Sequence, residues 1–397
     1  VSAREASPTD DRPDQRPDRR PDRLPDQADD GSTDGAEAAL ESAPWDGSGF
    51  RARVQAALDA HVEEQVTRLA PVGPDATRLL DEARALVAGG KRLRAAFCWW
   101  GFRALEPDPS PETERAVLRA CAALELLHAS ALVHDDLMDA SDTRRGRPAT
   151  HRAFEAEHRR AGWTGDPEQY GAAAAILLGD LLLTWADELL RRCGLPLERV
   201  VPALEVFDLC RSEVIAGQFL DVSVQARGRA DVDAAMTVLR YKSAKYSIER
   251  PLHVGAALAG AGPEELAALT AYGLPLGEAF QLRDDLLGVF GDPATTGKPA
   301  GDDLVEGKRT VLVALALDAA APEEAALLDR SLGRPLDAAA VERLREVITD
   351  SGAHDQVEEV IGHLTERATG ALAASGLDPR AQEVLRDLAV AATQRRT

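Results

Sequence analysis

The stretch "VLRACAALELLHASALVHDDLMDA", residues 117–140, decides how the rest of the chain is read. Its apolar residues recur at i, i+3 and i+4 through several turns, the period of a helix with a buried face. The run then turns acidic at Asp135, Asp136 and Asp139, and Gly146 and Pro148 in the following "RRGRP" close the helix. Asp135 and Asp139 are four residues apart, so their carboxylates stack on one face. Like charges repel there, and acids in a last turn also oppose the helix macrodipole. Such a face is costly unless it holds a cation. The separation suits Mg²⁺, which takes a few carboxylates and completes its octahedron with water and phosphate oxygens. Arg144 and Arg145, directly downstream, would receive the phosphate's remaining charge.

Working outward, the same arrangement occurs again. In "FQLRDDLLGVFGD", residues 280–292, Asp284 and Asp285 follow an apolar helical run and precede a glycine-rich loop. One acidic pair on a helix is a weak signal, but two helices each ending in acids before a cation-bearing loop are moderately specific. From about Phe50 onward the chain is rich in Ala, Leu, Glu and Arg. Helical spacing is predicted at about 171–193, 199–225, 231–259, 264–290, 308–331, 338–350, 354–375 and 379–395. The expected fold is all-α, a single large helical bundle spanning 46–397. Residues 1–45 carry the repeated Pro–Asp unit of "RPDQRPDRRPDRLPDQ" and read as a disordered low-complexity tail, too poor in apolar surface to offset its ordering entropy.

Composition narrows the function. The chain has 397 residues, 45% of them hydrophobic, enough for a large core. A net charge of −21 argues against nucleic acid as a partner, because phosphate backbones require a basic surface. Cys98, Cys121, Cys193 and Cys210 show no zinc-site spacing and read as free thiols. The most apolar run, 172–190, is interrupted by Asp180, Asp187 and Glu188 and fits a buried helix better than a membrane span. A cytoplasmic protein is expected. Of 46 basic residues only Lys91, Lys242, Lys245, Lys298 and Lys308 are lysine, each beside glycine or hydroxyl-bearing residues. A compact point charge differs usefully from a planar guanidinium at such places. Cys98, Trp99 and Trp100 read as core, and His134 has no derivable role.

Taken together the motifs resemble the trans-prenyl diphosphate synthases, in texture most of all the actinobacterial geranylgeranyl diphosphate synthases. The likeness rests on "GGKRLR" at 89–94, "DDLMD" followed by "RRG", "GQFLD" at 217–221, "KSA" at 242–244, "FQLRDD" at 280–285 and "GKPAGDDLVEGKRT". Each is weak alone; in this order they are highly specific. The resemblance implies condensation of isopentenyl diphosphate with an allylic diphosphate and dependence on three Mg²⁺ ions, with Mn²⁺ as a substitute. It implies metal ligation by Asp135, Asp139 and Asp284, supported by Asp136, Asp285 and Gln218. It also implies an allylic diphosphate clamp of Arg144, Lys242, Ser243, Gln281, Lys298 and Lys308. Gly90, Lys91, Arg94, His128 and Arg145 resemble the isopentenyl diphosphate set, and a homodimer follows from the resemblance as well. One departure stands out: the second acidic region reads "DDLLG", with Gly288 in place of a final aspartate.

Two rivals come from other classes. A class I terpene cyclase would lack a second diphosphate site and carry an N/D-x-x-S-x-x-x-E triad, which is absent. A non-catalytic regulatory subunit would have lost ligands from the acidic regions, yet Asp135, Asp139 and Asp284 are present. Product length is expected at C20, with C15 or C25 and longer as alternatives. Small residues at Ser130 and Ala131 would let the growing tail pass, and Leu126 and Leu127 would stop it, with help from the helix near 171–182.

Overall fold

The computed structural model describes residues 44–228, 231–292 and 301–394. Among these the all-α expectation is met. The extended pairing is a two-residue antiparallel ribbon, β1 (Thr143–Arg144) with β2 (Arg147–Pro148), which folds the "RRG" turn back on itself. Most of the low-complexity stretch and Lys298 lie outside the described residues. Ordered packing begins slightly before the expected boundary: Trp45, assigned to the tail by its neighbours' composition, is a fully buried core residue. It sits in a 3₁₀ turn, Pro44–Gly49, whose Asp46 accepts from the Arg51 backbone N–H and side chain.

The helices run in chain order as α1 (Phe50–Leu69), α2 (Pro74–Leu86), α3 (Leu93–Arg103), α4 (Pro111–Met138), α5 (Thr150–Ala161), α6 (Pro167–Arg191) and α7 (Leu197–Arg227). Then come α8 (Val232–Val238), α9 (Arg250–Leu258), α10 (Pro263–Phe290), α11 (Asp302–Glu306) and α12 (Val311–Ala319). The chain finishes with α13 (Pro322–Ser331), α14 (Ala338–Asp350), α15 (Ala353–Ala373) and α16 (Pro379–Thr393). The helix carrying the first acids, α4, starts earlier than its periodicity alone suggests. Ser110 caps it, accepting from the Thr113 N–H at 3.2 Å, with Pro111 in the first turn and Glu112 and Glu114 favoured by the dipole. It is long and apolar enough to cross a membrane, with mean hydropathy 1.6 over an 18-residue window, but 78% of that window is buried in protein. It is the central helix of the core and packs most extensively on α6.

Among the described residues two hydrophobic clusters form the interior, and α10 belongs to both. Leu269, Tyr272, Leu276 and Phe280 join the larger one, while Leu282, Leu286 and Val289 join the one built from α12, α14 and α15. Cys98 and Trp99 are buried as expected, Trp100 packs at the edge of the core, and all four cysteines are free and buried.

The segment expected to be helical at 308–331 is two helices, α12 and α13. Pro322 disfavours helical geometry in the residue before it, and Ala320 and Ala321 are extended with ψ of 156° and 147°. The 231–259 helix is continuous, but its middle, Leu239–Glu249, is π-helical. Such wide turns recur at functional sites. Here the segment lies against α7 so closely that a Cβ on Gly217 would fall 2.4 Å from the Lys242 backbone nitrogen. The glycine of "GQFLD" therefore permits the contact that carries Lys242 into the interior.

Candidate active site

The ends of α4 and α10 face one another across a cavity of about 1280 Å³, with α7, the π-helical segment and α11 completing its walls. Asp135, Arg144, Gln218, Lys242, Ser243, Gln281, Asp284, Asp285 and Lys308 line one region. Lys91, Arg94 and His128 line it as well, and Ala131, Leu132, Ile176, Ile215 and Phe219 form an apolar stretch. Sequence-distant residues expected to work together are thus gathered at one place.

The acids and cations compensate one another. Lys242 Nζ stands 2.6 Å from Asp221 and 3.2 Å from Asp135, and Gln218 donates to Asp135 at 3.0 Å. Burial alone would raise the Asp135 carboxyl, but Lys242, Lys308 and Arg144 hold it down to about 2. Asp139 behaves oppositely. Burial and the nearby Asp135 charge push its carboxyl up to about 6, despite Lys308 at 3.6 Å. Its side chain is only 5% exposed and sits behind that lysine, so it does not line the cavity directly. Asp136 is buried and paired with Arg144, whose Nε donates to it at 2.8 Å; it turns the guanidinium toward the cavity. Burial pushes Asp285 up to about 8, aided by the Asp303 charge, and Gln281 donates to it at 2.8 Å.

The second basic set is organised around a buried ion pair, a guanidinium stack and a neutral histidine. Arg92, left-handed at φ 54°, is buried and paired with Glu125 at 3.0 Å, fixing the loop that carries Lys91. The Arg145 guanidinium packs over Gly90 in the same loop, 3.4 Å from where a Cβ would begin. Arg94 donates to Ser247 at 2.9 Å and stacks on the Tyr246 ring, 4.4 Å from its centroid. Tyr246 bonds His128 Nδ1 at 2.9 Å. Burial, reinforced by Arg94, Arg145 and Arg144, lowers His128 well below the usual histidine range, so it is neutral at pH 7.

Sequence reasoning missed several of these groups. Asp221 and Glu306 lie inside motifs that were legible, and Glu306 accepts from Ser141 at 3.0 Å. Tyr246 and Ser247 follow "KSA" by two and three residues, and nothing in their identity alone pointed to the site. His134 packs against α6, its ring within reach of the Ile176 carbonyl at 3.3 Å. The expected depth gauge is only partly at the cavity. Ala131 lines it, whereas Ser130, Leu126 and Leu127 are buried in the core behind it. The reason is helical phase: at about 100° per residue, Ala131 points within about 40° of Asp135 but Ser130 about 140° away.

No three His, Cys, Asp or Glu side chains among the described residues already form a metal cage. Mg²⁺ does not require one, since it is commonly held by one or two carboxylates plus substrate phosphates. Asp135 and Asp139 on one face, the second carrying a proton-seeking carboxyl that a divalent cation would relieve, fit that mode.

A cavity with two opposed acidic helix ends, lysines on the acids and a separate basic set defines a diphosphate-handling enzyme of the isoprenoid synthase type. Residues 77–350 match the polyprenyl synthetase family. The chain belongs to that family and is a trans-prenyltransferase. It is 33% identical over 302 residues to a geranylfarnesyl diphosphate synthase of Aeropyrum pernix, covering 75% of this chain and 88% of that one. It is 35% identical over 257 residues to a geranylgeranyl diphosphate synthase of Methanosarcina mazei, covering 64% and 72%. Among solved structures, geranylgeranyl pyrophosphate synthase from Corynebacterium glutamicum, complexed with isoprenyl diphosphate and magnesium, superposes with TM-score 0.85 at 43% identity, covering 87% of this chain and 99% of that one.

Proposed function

We propose that this enzyme elongates an allylic diphosphate with isopentenyl diphosphate to a C20 product, geranylgeranyl diphosphate, in a single helical domain. The observation that carries the reading is the division of the cavity's charge. One anion site pairs acids with Lys242, Lys308 and Arg144, and the other gathers Lys91, Arg94 and neutral His128 at the cavity with Arg145 packed over the Lys91 loop. A substrate that must lose its diphosphate needs metals; one that keeps it does not. Mg²⁺, when bound by Asp135, Asp139 and Asp284, supplies positive charge at the leaving diphosphate.

The chain's own residues do the rest. Lys242, Lys308 and Arg144 are preorganised beside the acids, where they can stabilise the charge that grows on the leaving group. The allylic C1–O bond breaks with its electron pair going to diphosphate. The isopentenyl double bond then attacks C1, and the proton lost from the adduct goes to the released pyrophosphate. His128, held neutral and bonded to Tyr246, orients its side of the second diphosphate without competing for that proton. The apolar stretch at Ala131, Leu132, Ile176 and Ile215 offers no nucleophile to quench a carbocation.

The C20 length is supported by the small Ala131 one helical turn from Asp135, and by geranylgeranyl synthases among the relatives. A homodimer is supported by the exposed apolar faces of α6 and α7, where Leu177 and Leu209, away from the cavity lining, are 61% and 47% exposed. The test is incubation of the full chain with isopentenyl diphosphate, Mg²⁺ and each allylic primer, followed by chromatography of the dephosphorylated products. A C20 alcohol is expected. No elongation with any primer would refute the activity, and a dominant C15 or C25 product would refute the length.

A further inference from the structure

One carboxylate outside the cavity touches the π-helical segment at two points. Glu213, on α7 one turn before Gly217, lies 2.7 Å from Lys245 Nζ through Oε1, and Arg250 Nε donates to its Oε2 at 2.7 Å. Arg250 Nη2 also donates to Oε1 at 2.9 Å, so that contact is bidentate. Lys245 and Arg250 are five residues apart. At about 100° per residue in an α-helix they would stand about 140° apart, too far round to share one acid. A π-helix instead bonds residues five apart, and here the Arg250 N–H donates to the Lys245 carbonyl. Glu213 therefore grips the side chains of the same two residues whose backbones close the last wide turn.

Both flanking helices make room for that segment. A Cβ on Gly217 of α7 would fall 2.4 Å from the Lys242 nitrogen, and one on Gly277 of α10 would fall 2.5 Å from the Ala244 carbonyl oxygen. Arg250 is also fixed from behind. Burial, helped by the Arg250 charge, lowers the His253 imidazole to about 4, so it is neutral. An arginine can only donate, so His253 Nδ1 accepts from Arg250 at 3.2 Å and Nε2, 3.0 Å from Thr270 Oγ1, keeps the proton. Side chains of Glu213, Lys245 and Arg250 are 13%, 14% and 11% exposed, a setting where salt screens charge pairs less. None of the three is among the residues lining the cavity.

Between the two gripped residues lie Tyr246, which bonds His128, and Ser247, which accepts from Arg94. Closing this turn as an α-helix would rotate them by about one residue's step, roughly 100°, away from those partners. We infer that Glu213 is a positioning residue for the isopentenyl diphosphate half of the cavity: by bridging Lys245 and Arg250 it holds the wide turn that seats His128 and Arg94. The inference rests on the assignment of Arg94 and His128 to that substrate. Lys242 is tied separately to Asp221 and Asp135, so the allylic half should feel the clamp less.

The test is steady-state kinetics of the full chain with each substrate varied, beside thermal melting. Lys245→Met breaks the bridge but leaves Glu213 paired with Arg250, so no buried charge loses its last partner and melting should stay near wild type. Its KM for isopentenyl diphosphate should rise at least about fivefold, with kcat and the allylic KM within about twofold of wild type. Glu213→Gln should show the same split and melt lower. In the double variant Lys245→Met/Ser247→Ala the two KM effects should not multiply, because both act through the seat of Arg94. An unchanged isopentenyl KM in Lys245→Met, equal rises in both KM values, or fully multiplying effects in the double variant would each overturn the inference. Arg94→Ala separates the levels. An unchanged isopentenyl KM there overturns the site assignment and Glu213's part with it, whereas a raised KM there beside a wild-type value in Lys245→Met overturns this inference alone.

Discussion

Replacing Ala131 by Phe should shorten the product to C15, while replacing Ser130 by Phe should leave its length unchanged and destabilise the fold. The two positions are adjacent in sequence but differ by about 100° around α4. Ala131 faces the cavity within about 40° of Asp135, about 6 Å further along the helix, little more than one extended isoprene unit. A ring there stands in the path of a tail anchored by its diphosphate at Asp135. Ser130 is 2% exposed and points into the packed core, so a ring there must displace neighbours at a cost of about 1–3 kcal/mol. At roughly 2–4 °C per kcal/mol, the melting temperature should fall by several degrees. Labelled isopentenyl diphosphate with dimethylallyl diphosphate, followed by chromatography of the dephosphorylated chains, reads the length, and calorimetry reads the stability. The phase argument is refuted if Ser130→Phe gives C15 at wild-type stability while Ala131→Phe still gives C20.

Asp135→Asn or Asp139→Asn should cut turnover by two or more orders of magnitude while the melting temperature without metal stays within a few degrees; near-normal, Mg²⁺-dependent turnover in either would contradict the ligand assignment. Lys242→Ala should raise KM for the allylic substrate more than for isopentenyl diphosphate, and Lys91→Ala the reverse; steady-state kinetics with each substrate varied checks this, and equal effects would remove the two-site partition. The pH dependence follows from Asp139, whose carboxyl sits at about 6 instead of the ordinary 3.8. Because the folded state binds this proton more tightly, its contribution to metal-free stability is present below about pH 4 and is lost as pH rises through 6. Mg²⁺ must displace the same proton, so its affinity should fall roughly tenfold per unit below pH 6, and Asp139→Asn should abolish that slope in a calorimetric titration.

Sequence pattern reached the fold and the gathering of the site because both are written in local periodicity. Apolar helices that end in acids, and loops rich in glycine and lysine, announce themselves residue by residue. Orientation across helices was not legible in the same way. Ser130 and Ala131 are equally small, and only the packing of α4 against its neighbours decides which one faces the cavity. The break between α12 and α13 was signalled by Pro322 but overridden by the apolar period on either side. Gly288 was visible as a missing aspartate, whereas the carboxylate filling its place comes from Asp303, fifteen residues on, and is revealed only by the backbone that brings α11 against α10. Tyr246 and Ser247 became site residues because a π-helical turn rotates them toward Arg94 and His128, a distortion that helical spacing does not encode.

The most direct test of the account is where divalent cations bind. Anomalous scattering from crystals grown with Mn²⁺, isopentenyl diphosphate and an unreactive thio-analogue of the allylic diphosphate would locate every ion. Ions held by Asp135 and Asp139 on one side and Asp284 on the other, around a single diphosphate, are expected, with the second diphosphate on Lys91, Arg94 and His128 free of metal. Metal on that second diphosphate, or no ion at Asp284, would contradict the division of the cavity into an ionising site and a nucleophile site.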